Sequence, residues 1–167
     1  HYREKGAGAP LLLLHGNGED SSYFKNQIEY FSRSCRVIAP DTRGHGKSPR
    51  GTAPFTIGQF ACDLYEFMME RGLSDVILLG FSDGANIAMT FAMQHPELLR
   101  ALILNGGNLD PRGVRRRTQL PIEIGYRIAK RFAAGSPEAA LHAELLGLMV
   151  NEPHIAPEEL ARITVPT

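Results

Sequence analysis

The chain has 167 residues with 18 basic and 18 acidic side chains, so its formal charge is zero, and 43% of its residues are apolar. That balance is ordinary for a globular domain and excludes a collagen-like or disordered polymer. With no basic excess to neutralise phosphates, nucleic-acid binding by bulk charge is excluded too, and the longest aliphatic run, Leu11 to Leu14, falls far short of the ~20 apolar residues of a membrane span.

His1 to Lys5 are polar and carry no secretory signal. Four apolar runs then read as parallel strands covered on both faces: Leu11–Leu14, Val37–Ala39, Val76–Leu79 and Ala101–Leu104. Each is followed by a helical pattern at the spacing of a βαβ crossover. Thr56 with Gln59 predicts a capping box, Phe60, Leu64, Phe67 and Met68 share one helical face, and Gly72 ends that segment. After the third strand, Ala85, Ala88, Met89 and Ala92 predict a small-residue helix suited to close packing on a sheet, stopped by Pro96. Beyond Gly106-Gly107 the pattern changes. Residues 108–118 are a polar, Arg-rich connection, and residues 119–162 carry helical signals only. One helix is expected from Pro121 to Ala134, ending at Gly135. Ser136-Pro137-Glu138 reads as N-cap, first helical residue and first-turn acid of the next. Pro157-Glu158-Glu159 opens a short third helix, and Ile163–Thr167 reads as the start of another strand. Cys35 and Cys62 have neither a disulfide framework nor metal-ligand spacing, and read as free thiols of a reducing, cytoplasmic compartment.

Three loops at strand ends carry the chemistry. Gly80-Phe81-Ser82-Asp83-Gly84 follows a strand and opens a helix, the context in which G-x-S-x-G forms a nucleophile elbow. Ser82 is the candidate nucleophile. The helix behind it offers free amides and a positive dipole end to an oxyanion. His15-Gly16-Asn17-Gly18 follows the first strand and can aim a second donor at the same point, so the backbone amides of Asn17 and Asp83 are the candidate oxyanion hole. His15 itself reads as a loop-holding residue rather than a base. In Asp41-Thr42-Arg43-Gly44-His45-Gly46-Lys47-Ser48 the phosphate-loop spacing is absent, so Asp41 and Arg43 read as loop braces. The cluster Arg112, Arg115, Arg116 and Arg117 reads as a solvated face.

In this order and spacing, LLLLHGNG, DTRGHGKS, GFSDGAN and LILNGG resemble the α/β-hydrolase superfamily, and the resemblance covers essentially the whole chain. The Ser-Asp-Gly elbow is similar to that of valacyclovir-hydrolase-like esterases. The resemblance implies an α/β fold, a mainly parallel sheet with helices on both faces and a helical cap. Residues 1–107 would be the N-terminal part of the hydrolase core, 108–162 the cap and 163–167 the start of the next core strand. It implies hydrolysis of a small ester or related acyl compound through an acyl-serine, with no metal and no organic cofactor. A serine at the elbow argues against the haloalkane dehalogenase and epoxide hydrolase branches. A carbon–carbon bond hydrolase with the same triad is a variant, and a non-catalytic binding module with the same fold is the alternative.

The family's chain order, serine then acid then histidine, implies that the triad acid and histidine lie beyond Thr167. Asp110 lies in a loop from which some branches take the acid. His95 falls at the far end of the elbow helix, while His142 and His154 belong to the cap, and none is a convincing base. The 167 residues alone are therefore expected to be inactive. The expected partner is a small-molecule substrate, with neither nucleic acid nor membrane. Self-association is expected from an uncovered sheet edge.

Overall fold

A computed structural model describes residues 1–167. Its sheet has five strands: β1 (Tyr2–Lys5), β2 (Ala9–Leu14), β3 (Cys35–Pro40), β4 (Val76–Phe81) and β5 (Leu99–Asn105), in the spatial order β1-β3-β2-β4-β5. The four strands expected from apolar runs are all present and mutually parallel. The fifth, β1, was not expected, and it pairs antiparallel with β3. Its sequence, Tyr-Arg-Glu-Lys, is half-buried at one residue and exposed at three, so an edge strand forms here through backbone pairing without an apolar signature.

Helices lie on both faces. α1 spans Lys25–Phe31, α2 Ile57–Glu70 and α3 Asp83–Gln94. On one face Leu12, Leu14, Ile38, Leu78 and Leu102 pack against Phe60, Leu64 and Met68 of α2 and Ile87 and Phe91 of α3. On the other, Leu11, Leu13, Val37 and Ala39 pack against Phe24 and Ile28. This second cover is complete over β2 and β3 and only partial over β4, where Ile77, Leu79 and Phe81 pack on it half-buried. Burial along β4 therefore alternates, and β5 is more open still, with Ile103 45% exposed. The expected boundaries of α2 hold, but only half of the capping box forms: the Thr56 side chain accepts from the Gln59 amide at 3.1 Å while the Gln59 side chain donates to Asp63 instead, and Gly72 closes the segment at φ +58°.

Residues 108–162 contain helices and no strand. α4 spans Arg116–Phe132 and α5 Pro137–Asn151, followed by a 3-10 turn at Pro157–Arg162. Ser136 caps α5 as expected, accepting from Ala139 at 3.1 Å. α4 begins five residues before Pro121, which sits inside the helix rather than at its start. In that second turn the proline has no amide to donate to the Arg117 carbonyl, so the helix forgoes one backbone bond there. The α4–α5 pair is tied to the sheet layer at several points. Arg50 grips Glu144 with two hydrogen bonds of 2.6 Å, and Glu152 accepts from the Ile57 amide at the N-terminus of α2, also at 2.6 Å. Ile163–Thr167 does not form a regular strand. It runs beside β5, where Leu102 donates to the Pro166 carbonyl at 2.8 Å, and Ile163 and Val165 pack on the core.

Candidate active site

β4 ends at Phe81 and α3 begins at Asp83, leaving Ser82 as the single residue of the turn. Its backbone sits at φ 52°, ψ −120°, a region that costs a non-glycine residue about 1–3 kcal/mol and survives only where the surroundings enforce it. The flanking glycines supply that enforcement. A Cβ on Gly80 would stand 2.2 Å from the Gly84 carbonyl oxygen, and one on Gly84 would stand 2.2 Å from the Leu14 carbonyl oxygen. Any side chain at either position would thus drive the elbow off β2 or off its own helix. The Ser82 amide donates to the Asn105 carbonyl at 2.8 Å, and the Ser82 carbonyl accepts from Ala85 and Asn86. Ser82 is thereby fixed at the carboxyl end of the sheet and at the positive end of α3.

The loop after β2 lies against it. A Cβ on Gly16 would come within 3.1 Å of the Ser82 Cβ, so a bare backbone is needed for the two turns to meet. The Gly16 amide donates to Glu19 Oε2 at 3.0 Å. Next to it, the Asn17 side chain does something the sequence pattern does not announce. Its Nδ2 donates to Asp83 Oδ2 at 2.9 Å and to the Leu145 carbonyl of α5 at 2.9 Å. One carboxamide joins the two loops that carry the candidate oxyanion amides to the helical pair above them. Burial pushes the Asp83 carboxyl above its ordinary value, and hydrogen bonds from Asn17 and Asn86 act in the opposite direction. Asn86, a fully buried amide in an otherwise small and apolar helix, also exchanges hydrogen bonds with Asn108 at 2.9 and 3.2 Å, pinning the loop after β5. A lone asparagine among Ala85, Ile87 and Ala88 is the sequence signal that could have marked it.

The loop after β3 braces the site. Asp41 accepts from the Ser21 amide at 2.8 Å, the Lys47 amide at 2.9 Å and His1 Nδ1 at 2.7 Å. Burial would raise its pKa, but the backbone donors of Lys47 and Ser21 hold it below the usual value. Arg43 forks onto Asp63 at 2.8 and 2.6 Å. Both residues act as loop braces, as expected from their spacing.

No histidine hydrogen-bonds the Ser82 hydroxyl. His15 is buried, and its Nε2 accepts from the Thr42 amide at 3.0 Å. Its proton therefore sits on Nδ1, which donates to the Gly16 carbonyl at 2.8 Å. Both ring nitrogens are occupied, as the loop-holding reading requires. His45 is buried between Phe55 and Phe60, and burial depresses its pKa to about 4. His95 closes α3 and stacks on Tyr65, and His142 is exposed on α5. His154 does meet Asp110, Nδ1 to Oδ2 at 2.9 Å, but at the surface, beside the C-terminal turns of α3. Arg112, with His154, holds the Asp110 carboxyl far below the ordinary range. No group of three or more His, Cys, Asp or Glu side chains is arranged to hold a metal. A cleft of about 310 Å³ between β3 and α2, lined by Asp41, Arg43, Asp63 and Glu66, does not include Ser82.

Known proteins resemble this chain in sequence and in fold. Residues 9–134 match the family model described as alpha/beta hydrolase fold. A putative carbamate hydrolase, RutD, of Azorhizobium caulinodans is 32% identical over 148 residues, covering 89% of this chain and 54% of that protein. A soluble epoxide hydrolase of a Corynebacterium is 30% identical over 141 residues, covering 84% of this chain and 49% of that one. Among solved structures, an esterase from Exiguobacterium antarcticum superposes with a TM-score of 0.78 at 23% identity, covering 99% of this chain and 74% of that one, a likeness of fold. The chain spans about half the length of the curated relatives it matches. With a glycine-flanked serine turn between β4 and α3, a glycine loop after β2 and a helical pair above both, the chain belongs to the alpha/beta hydrolase fold family.

Proposed function

We propose that the protein is a serine hydrolase that cleaves a small, mostly apolar ester or related acyl compound through an acyl-Ser82 intermediate. The observation that carries this reading is the strained backbone of Ser82, held between Gly80 and Gly84 at the start of α3. Such strain persists where an exposed hydroxyl must be presented at a fixed angle. In the proposed reaction Ser82 Oγ attacks the acyl carbon, and the amides of Asn17 and Asp83 receive the developing oxyanion. Each such donor is worth about 3 kcal/mol of barrier. α4 and α5 serve as the cap. Because the six histidines are engaged elsewhere or remote, the general base and its orienting acid are assigned to residues outside 1–167. The names of the relatives, hydrolases of carbamate and epoxide bonds, support hydrolysis as the reaction class.

Labelling with a fluorophosphonate tests this, comparing the chain, its Ser82→Ala variant and the gene extended past Thr167. The expected result is labelling of the extended protein that Ser82→Ala removes, with little labelling of residues 1–167 alone. Failure of every form to label would make the elbow a structural feature of a binding module.

A further inference from the structure

α4 carries a surface that the candidate site does not use. Leu120, Ile124, Ile128 and Phe132 recur every fourth residue and form one stripe along the helix. They are 41%, 48%, 56% and 64% exposed. A different face holds α4 to α5: Gln119 Nε2 donates to the Met149 carbonyl at 3.2 Å, and Gly125 lies against Leu146. The stripe thus lies off that contact and open to solvent, with Ile128 and Phe132 bordering a shallow groove whose other wall is Ala139 and His142 of α5.

Charge gathers around the same element. Residues 112–131 hold seven of the chain's 18 basic residues and a single acid, Glu123, which pairs with Arg116 at 2.9 and 3.0 Å; Arg112 is paired with Asp110 just outside the segment, which leaves five basic side chains unmatched. At 100° per residue, Arg117, Arg127 and Arg131 project within about 80° of the stripe's axis. Their long stems let the aliphatic stripe seat in one layer while the guanidinium groups reach another. The chain's zero net charge conceals this local excess.

An outward apolar stripe bordered by arginines is the pattern of a helix that lies in a membrane interface. We infer that α4 docks this protein on an anionic phospholipid surface. The stripe sinks into the boundary between headgroups and acyl chains, and Arg117, Arg127 and Arg131 meet the lipid phosphates. A nucleic-acid partner would use the charge but gain nothing from four aliphatic and aromatic side chains. No helix is long and apolar enough to cross a membrane, and α4, with its charged flank, suits lying on one. The inference reverses the sequence expectation of no membrane contact, which weighed spanning length and total charge but not where the charges and apolar side chains meet.

The test is flotation of the purified protein with phosphatidylglycerol-containing vesicles and with phosphatidylcholine vesicles, at low and high salt. Binding is expected to the anionic vesicles alone and to fall with salt. Arg127→Gln with Arg131→Gln lowers partitioning roughly 25-fold, at about fivefold per basic residue. Ile128→Ser with Phe132→Ser abolishes it. All four positions are exposed, so circular dichroism of both variants should match the parent. Absence of anionic-vesicle binding at low salt overturns the inference and leaves the stripe to a protein partner. Equal binding to phosphatidylcholine, or binding that survives both variants, overturns it as well. Flotation does not depend on Ser82, so it stands or falls separately from the hydrolase reading.

Discussion

Asn17 and Asp83, 66 residues apart in the chain, meet side chain to side chain at 2.9 Å, and the same Asn17 nitrogen holds the Leu145 carbonyl of α5. A buried carboxylate keeps its charge through such donors, and removing one leaves it short of partners. Asn17→Ala is therefore expected to cost about 1–3 kcal/mol of stability. It should also speed amide exchange in α5 around Leu145 more than in α4. Urea melts with hydrogen exchange on the same sample check both; uniform exchange along both helices would mean that the carboxamide does not couple the layers.

Asp83 gives the site a pH signature. Its folded pKa lies above its ordinary value of 3.8, because burial outweighs the bonds from Asn17 and Asn86. The folded state then holds the proton more tightly than the unfolded chain. The stabilising contribution is complete below pH 3.8 and is lost as pH rises through the folded value. Asp83→Asn, which cannot ionise and still offers an oxygen to Asn17, should remove this dependence. Relative to Asp83→Asn, the parent should lose stability from acid to neutral pH. A constant difference between the two across that range would refute the assignment.

The parts of this architecture that were legible in sequence are those in which one local constraint dominates. β2 and β3 announced themselves because most of their residues are denied water, and β4 and β5 through apolar runs that persist even where one face is half-buried or exposed. The elbow did so because its backbone tolerates only glycine at positions 80 and 84. β1 did not, since an edge strand is specified by main-chain pairing with β3, to which Arg3 and Glu4 contribute no apolar pattern. Pro121 misplaced the start of α4, because proline favours the first helical position, whereas here it sits in the second turn at the loss of one backbone bond. The Asn17–Asp83 bond joins two loops through tertiary packing alone, and no spacing rule reaches across 66 residues.

His45 should make the fold acid-sensitive. Burial lowers its pKa from 6.5 to about 4, so the folded state excludes a proton that the unfolded chain accepts. Its contribution is present above pH 6.5 and is lost as pH falls toward 4, by up to about 3 kcal/mol at 1.36 kcal/mol per unit. Asp41, held below its ordinary value, loses its own contribution at lower pH still. His45→Phe, placed between Phe55 and Phe60, should flatten the stability curve over the upper part of this window. A curve unchanged from the parent between pH 6.5 and 4 would assign the acid sensitivity elsewhere.

Two glycine substitutions should act in opposite directions. Gly84→Ala sets a methyl 2.2 Å from the Leu14 carbonyl oxygen, in the seam between α3 and β2. Backbone on both sides cannot yield, and a loss of more than about 3 kcal/mol, or no folded protein at all, is expected. Gly58 lies in the first turn of α2 with nothing within 4 Å of an added Cβ. Gly58→Ala should therefore stabilise by about 0.5 kcal/mol through helix propensity and reduced unfolded-chain entropy. Parallel thermal melts suffice, and a well-folded Gly84→Ala protein would undo the steric account of the elbow.

The bidentate pair of Arg50 and Glu144 is the strongest polar tie between α5 and the loop after β3, and Arg50 also lies over Phe55 with its guanidinium carbon 4.9 Å from the ring centre. The two side chains are 29% and 38% exposed, so solvent screens much of their attraction. The coupling energy from a cycle of Arg50→Ala, Glu144→Ala and the double variant is accordingly expected near 1 kcal/mol, falling with salt. Arg50→Lys keeps the charge but loses the fork, and should recover less than half of it. Full recovery by lysine would mean that charge alone holds the α4–α5 pair down, with no part played by the planar geometry that Glu144 and Phe55 present to Arg50.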